Sequence, residues 1–213
     1  MGTDRLDEVL DAAYDCLTRY GVRRTTMDDI AATMGVSRSA VYQYVRNKDD
    51  AFRRLAARLH ARALERARQA AADRDASYTV RIRGVLAAKL DLVAELSGPS
   101  PHTAELVDAK ARLFTGICAS FTTDLRSLLT ELFAEAGTTA GVEPAQAADI
   151  ALALVLGLES VAEAATTDSR ALFAPATDAL LAGLLGVPVQ IPEPEPVQTP
   201  EPGRETAPLP TAP

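Results

Sequence analysis

The stretch TTMDDIAATMGVSRSAVYQYVRNKDD, residues 25–50, narrows most sharply what this chain can fold into. Two short apolar patterns at helical spacing meet across Gly35-Val36-Ser37, with no room for a loop between them. Thr26 precedes Met27-Asp28-Asp29, an N-cap followed three residues later by an acid. Ile30, Ala31 and Met34 fall on one face of the helix so started. Gly35 can take the left-handed conformation that ends a helix abruptly, Val36 follows as an apolar plug, and Ser37 can cap the next helix. That helix is predicted over residues 38–45, with Ala40, Val41 and Val45 turned inward. Arg38, Ser39, Tyr42, Gln43 and Tyr44 are left on the outer side.

The residues on that outer side have a shared chemistry. A short exposed helix bearing Arg, Ser, Gln and Tyr fits a DNA major groove about 12 Å wide. Gln pairs with an adenine edge and Arg with a guanine edge. Tyr hydroxyls, with Thr26 and Ser37 at helix N-termini, suit phosphate oxygens, and Lys48 adds a cation. A solvated surface helix is the plain alternative for any one of these residues. Charge distribution favours DNA: residues 1–72 hold 13 Lys and Arg against 10 Asp and Glu, a balance of +3. The remaining residues hold 9 against 19, so the overall charge of −7 conceals a cationic head on an acidic body.

Helical patterning extends along the chain. Leu6, Val9, Leu10, Ala13, Leu17 and Tyr20 recur at helical spacing before Gly21. Asn47 can cap a fourth helix reaching about Ala72, with Asp49 and Asp50 favoured by its dipole. Further helices are predicted over about 79–96, 103–136 with a break near Gly116, 144–165 and 170–185. The fold class is therefore all-α, about nine helices: a three-helix head on a larger helical body. The predicted division is 1–48 for the head, 49–187 for the body with the fourth helix as connector, and 188–213 for a tail. That tail has 9 Pro in 26 residues and is predicted to be disordered or polyproline-like.

Other functions find little support. Cys16 and Cys118 form no CxxC or Cys/His cluster and read as two buried thiols. With only His60 and His102, and no Ser/His/Asp grouping or Gly-rich phosphate loop, no enzyme, metal or cofactor is implied. The acidic N-terminal residues do not resemble a leader, and no run of about 18 apolar residues is present, so a cytoplasmic protein without a membrane partner is expected.

Thr25-Thr26, Ile30-Ala31, Gly35-Val36-Ser37, Tyr42, Tyr44 and Asn47-Lys48-Asp49 together resemble the N-terminal signature of the TetR family of bacterial transcriptional regulators, from about Ala12 to Leu59. Val45 departs from it, where the family usually has a large aromatic, and Phe52 is a candidate to fill the space. The resemblance implies a DNA-binding head on a dimerising, effector-binding body. Residue by residue, it implies DNA contacts from Thr25, Thr26, Ser37, Arg38, Ser39, Tyr42, Gln43, Tyr44 and Lys48. It also implies a homodimer on a near-palindromic double-stranded operator, with a small-molecule effector in the body. Tyr78, Phe114, Cys118, Phe121 and Phe133 are the candidate pocket lining, core packing being the alternative. Ala151, Leu152, Leu156, Leu180, Leu181 and Leu184, in the last two helices, are the candidates for packing across a two-fold axis. The competing function is a helical ligand-binding or scaffold protein that has lost DNA binding.

Overall fold

The computed structural model describes residues 2–97, 114–163 and 169–185, and these form eight helices and the turns between them. No strand occurs among the described residues. The helices are α1 Gly2–Arg24, α2 Met27–Met34, α3 Arg38–Val41, α4 Lys48–Ala72, α5 Tyr78–Ser97, α6 Thr115–Ala136, α7 Pro144–Glu163 and α8 Ser169–Leu184. Residues 103–113 of the helix predicted over 103–136, His102 and the Pro-rich tail lie outside the described residues. The break predicted near Gly116 coincides with the start of α6.

Gly21 breaks α1 where the sequence predicts an end, at φ 78 and ψ 172, and one further turn follows. Thr25 secures that turn. Its hydroxyl lies 2.7 Å from the Gly21 carbonyl oxygen and 3.2 Å from that of Cys16, and the residue is buried. Behind it, Val9, Ala13 and Cys16 of α1, Ile30 of α2, Val41 of α3 and Phe52 and Leu55 of α4 are all buried in one core. Phe52 is only 1 % exposed and Val45 only 2 %, so the smaller side chain at Val45 leaves no opening to solvent.

Alanines govern the second half of α4. Ala63, Ala67 and Ala71 recur every four residues and are buried, which lets α5 approach closely. The approach is closest at Gly84, where an added Cβ would stand 2.6 Å from the Ala70 Cβ. Ile82, Val85 and Leu86 of α5 are fully buried on this side. Polar ties set the register of the remaining helices. The Arg81 Nε donates to the Ala71 carbonyl at 2.8 Å, and Lys89 of α5 lies 3.0 Å from Glu159 of α7, both side chains buried. Arg126 of α6 grips Asp149 of α7 through two hydrogen bonds of 2.6 and 2.8 Å.

The last two helices correct part of the sequence reading. Ala151, Leu152, Leu181 and Leu184 are buried within the chain's own core, and Leu180 is half-buried. Of the six residues expected across a two-fold axis, only Leu156 stands exposed, at 44 %. Ile150 and Leu172, not foreseen, are exposed with it. Helical periodicity gives the two faces of each helix but not which face the rest of the chain covers.

Gly84→Ala ought to be destabilising, although alanine is ordinarily the better helix former. Forcing a methyl against Ala70 should lower unfolding stability by about 1–3 kcal/mol, read as a lower urea midpoint with an unchanged slope.

Candidate nucleic-acid interface

Local chemistry fixes the α2–turn–α3 unit at both ends. The Thr26 hydroxyl accepts from the Asp29 N–H at 3.2 Å, and the Asp29 carboxylate accepts from the Thr26 N–H at 2.8 Å, a reciprocal capping box. The Thr26 hydroxyl also donates to that carboxylate, at 2.7 Å. The hydroxyl and then the backbone bond hold the Asp29 carboxyl below the ordinary carboxylate range. At the other end Gly35, φ 67 and ψ 29, turns the chain through the left-handed region. The Val36 N–H reaches the Ala31 carbonyl at 3.0 Å and the Gly35 N–H that of Ala32 at 3.1 Å. These bonds make a Schellman turn, so α3 leaves α2 at a fixed angle.

Ser37 caps α3, its hydroxyl accepting from the Ala40 N–H at 3.3 Å. Regular helix ends at Val41, and turn hydrogen bonds carry the chain on to Val45, for example Val45 N–H to the Val41 carbonyl at 3.2 Å. Val41 and Val45 are buried and anchor the unit. Ser37, Arg38, Ser39, Tyr42 and Gln43 are exposed on the opposite side, as the sequence predicts. Thr26 is exposed too, at the start of α2.

Three predicted contacts stand differently. Thr25 is buried with its hydroxyl committed to α1, so it shapes the head and presents nothing to a ligand. Tyr44 is half-buried against the core. Lys48 donates from Nζ to the Arg23 carbonyl at 3.1 Å, closing the end of α1. Its ammonium therefore sits beside the exposed Arg23 and Arg24, which the sequence reading passed over.

Asp28 was missed as well. Its carboxylate accepts from Arg38 at 3.0 Å, while the second Arg38 nitrogen donates to the Tyr42 hydroxyl at 3.0 Å. The guanidinium carbon lies 5.5 Å from the Tyr42 ring centroid. The Tyr42 hydroxyl first, then the charge of Asp28, strengthen the hold of Arg38 on its proton. The reading face is thus wired to itself before any ligand arrives. At the start of α4, burial pushes the Asp50 carboxyl up, but the Arg46 N–H and Arg54 outweigh it and the net shift is downward.

The predicted pocket residues do not assemble as a set. A cleft of about 360 Å³ opens between α4 and α6, lined by Phe121 together with His60, Ala61, Leu64 and Ile117. Cys118 adjoins it through His60. Phe133 and Phe114 are buried in the core, and Tyr78 lies beneath the Arg81 guanidinium, 4.9 Å away. Phe114, Cys118 and Phe121 share a helical spacing, yet burial differs along it.

Residues 9–55 match the family model described as bacterial regulatory proteins, tetR family. Over residues 9–55 the chain thus carries the N-terminal region of the TetR family. Among solved structures it is similar to SmeT, the repressor of the Stenotrophomonas maltophilia multidrug efflux pump SmeDEF, at 25 % identity over 90 % of this chain and 97 % of that one, TM-score 0.64. It shares its fold with a putative transcriptional regulator of Pseudomonas aeruginosa PAO1, at 21 % identity, 88 % and 93 % coverage and TM-score 0.63. It also shares its fold with Bacillus subtilis FadR in complex with stearoyl-CoA, at 18 % identity, 83 % and 98 % coverage and TM-score 0.62. No curated protein matches the chain. The match to the TetR model spans the capped α2, the Gly35 turn and α3, the elements whose geometry presents Arg38 and Gln43. No helix among the described residues is long and apolar enough to cross a membrane.

The capping box has a pH signature. The Asp29 carboxyl is depressed in the folded chain, so its contribution is present above the unfolded value near 3.9 and disappears as pH falls through the folded value. Wild type should unfold at higher urea than Asp29→Asn at pH 7, and the gap should close progressively below about pH 4.

Proposed function

We propose that this chain is a TetR-family regulator, a homodimeric repressor that reads a near-palindromic operator and is controlled by a small, largely apolar effector. The observation that carries the reading is the outer side of α3. Ser37, Arg38, Ser39, Tyr42 and Gln43 are exposed in one patch, while Val41 and Val45 beneath them are buried. Arg38 and Gln43 approach base edges in the major groove, with Ser39 and the exposed edge of Tyr44 beside them. Thr26, Ser37, Tyr42 and Lys48 face phosphates. On binding, Arg38 exchanges the Asp28 carboxylate for DNA, so the ion pair aligns the guanidinium at little ordering cost. Residues 1–48 serve as the head and 49–187 as the body, with α4 running from one into the other.

Two heads need a two-fold partner. The exposed apolar residues Ile150 and Leu156 of α7 and Leu172 of α8 are the candidates for packing against a second copy. SmeT, similar over nearly its whole length, is a repressor, which supports that sign of regulation. The mostly apolar lining of the α4–α6 cleft supports an apolar effector. An effector acts by its difference in affinity between the DNA-bound and released spacings of the heads.

Gln43→Ala should relax sequence preference, lowering discrimination at one operator position by about 1–3 kcal/mol. Lys48→Ala should weaken binding to all sequences alike and reduce the slope of log affinity against log salt by about one. Titration of operator variants across salt concentrations separates the two. A Gln43→Ala protein that ranks every variant as wild type does would remove Gln43 from the base-reading set.

A further inference from the structure

Two side chains far apart in the sequence meet between α4 and α6. His60 is 6 % exposed, and its Nδ1 lies 2.7 Å from the Ala56 carbonyl oxygen. A carbonyl only accepts, so Nδ1 carries a hydrogen, and in the neutral tautomer of that arrangement Nε2 is the acceptor. Nε2 lies 3.5 Å from Cys118 Sγ. The Phe121 ring stands edge-on to the imidazole, centroids 5.3 Å apart at 88°, and holds its plane. Cys118 therefore donates its S–H to a base that is itself oriented by a third group, the arrangement that activates a thiol.

Access distinguishes this thiol from the other. Cys16 is wholly buried, lies 3.4 Å from the Thr33 hydroxyl, and has its thiol pushed up by burial. Cys118 is partly exposed, contrary to the sequence reading of two buried thiols. The imidazole beside it lines the 360 Å³ cleft, whose walls include Leu64, Ile117 and Phe121.

The geometry points to Cys118, paired with His60, as a covalent modification site for soft apolar electrophiles of the α,β-unsaturated carbonyl class, whose adduct weakens operator binding. This rests on the regulator reading above and names the chemistry of its effector. In the step, His60 Nε2 takes the thiol proton and the sulfur electron pair forms a bond to the β-carbon. The π pair of the C=C bond moves towards the α-carbon and carbonyl as an enolate, and the imidazolium returns the proton to the α-carbon. Nothing leaves, and no oxidant or reductant takes part. Cys118 itself does not line the cleft, so an adduct would enter it past His60 and there meet Ala57 and Ala61 of α4. Arg58, on the same turn, bonds Asp7 at 3.1 Å and Asp11 at 2.6 Å on α1. A wedge there shifts the helix that carries the head.

The test uses the full chain and N-ethylmaleimide, with labelling rates at Cys118 and Cys16 followed by mass spectrometry from pH 6 to 9. Cys118 should react at least about tenfold faster than Cys16 at pH 7. His60→Gln should slow Cys118 by about tenfold and move its rate–pH profile up towards that of an ordinary thiol near 8.5. Asp124 is the other titratable group among the described residues lining the cleft, and Asp124→Asn should leave that His60-dependent shift in place. Labelled wild type should bind a selected operator duplex at least about tenfold more weakly, a change of about 1.4 kcal/mol, and treated Cys118→Ser should bind as before. Equal rates at the two cysteines, an unmoved profile in His60→Gln, or fully labelled protein that holds the operator as tightly would each overturn the proposal. A folded protein that binds no DNA before treatment overturns the regulator reading instead, and the labelling rates then decide the thiol site by themselves.

Discussion

One helix belongs to both ends of this molecule. The first turns of α4 bury Phe52, Leu55 and Leu59 in the core with α1, α2 and α3, while its later turns bury Ala63, Ala67 and Ala71 beneath α5. Arg58 fastens it to α1 through Asp7 and Asp11, with the Arg58 side chain largely withdrawn from water. Lys48 and Asp50, at its first turn, bind backbone groups of Arg23 and Arg46 on either side of the reading unit. A displacement of α4 cannot leave the head where it was. The alanine stripe matters for the same reason: small side chains let α5 lie so close that α4 has little freedom to move alone.

The reading face is arranged by competing charges. Arg38 is satisfied by Asp28 and by Tyr42, which holds the guanidinium on the exposed side of α3. An exposed ion pair of this kind contributes little to stability, so exchanging it for a base edge or phosphate would cost little. In the proposed function the cost to any incorrect sequence would be larger, because Arg38 would give up Asp28 for a poor partner. In the proposed function Asp28 and Arg38 together would act as a filter as much as an anchor, with the positive balance of residues 1–72 as the general attraction to DNA.

Much of the head was legible in the sequence because its determinants are local. The Thr26 cap, the Gly35 turn, the Ser37 cap and the Asn47 cap act within four residues of themselves, and each is found where the sequence places it. What failed to appear depends on partners distant in the chain. The burial of Thr25 is decided by a break at Gly21 and a carbonyl at Cys16, and the hold of Lys48 on Arg23 spans 25 positions. Leu181 and Leu184 face inward because α8 packs on α7, which no periodicity reveals. The meeting of His60 and Cys118, 58 positions apart, is of the same kind. Each residue taken singly reads as a core filler.

The most direct measurement of the central claim is selection of bound fragments from genomic DNA of the source organism at about 0.1 M salt, with wild type and Tyr42→Ala run in parallel. Tyr42 accepts a hydrogen bond from Arg38 and stands exposed outside the core, so its loss should leave the fold intact. The account predicts one near-palindromic sequence strongly enriched by wild type and absent from the Tyr42→Ala pool. A folded wild-type protein that enriches no sequence over the input would contradict it, and would mean that the face built on α3 serves something other than DNA.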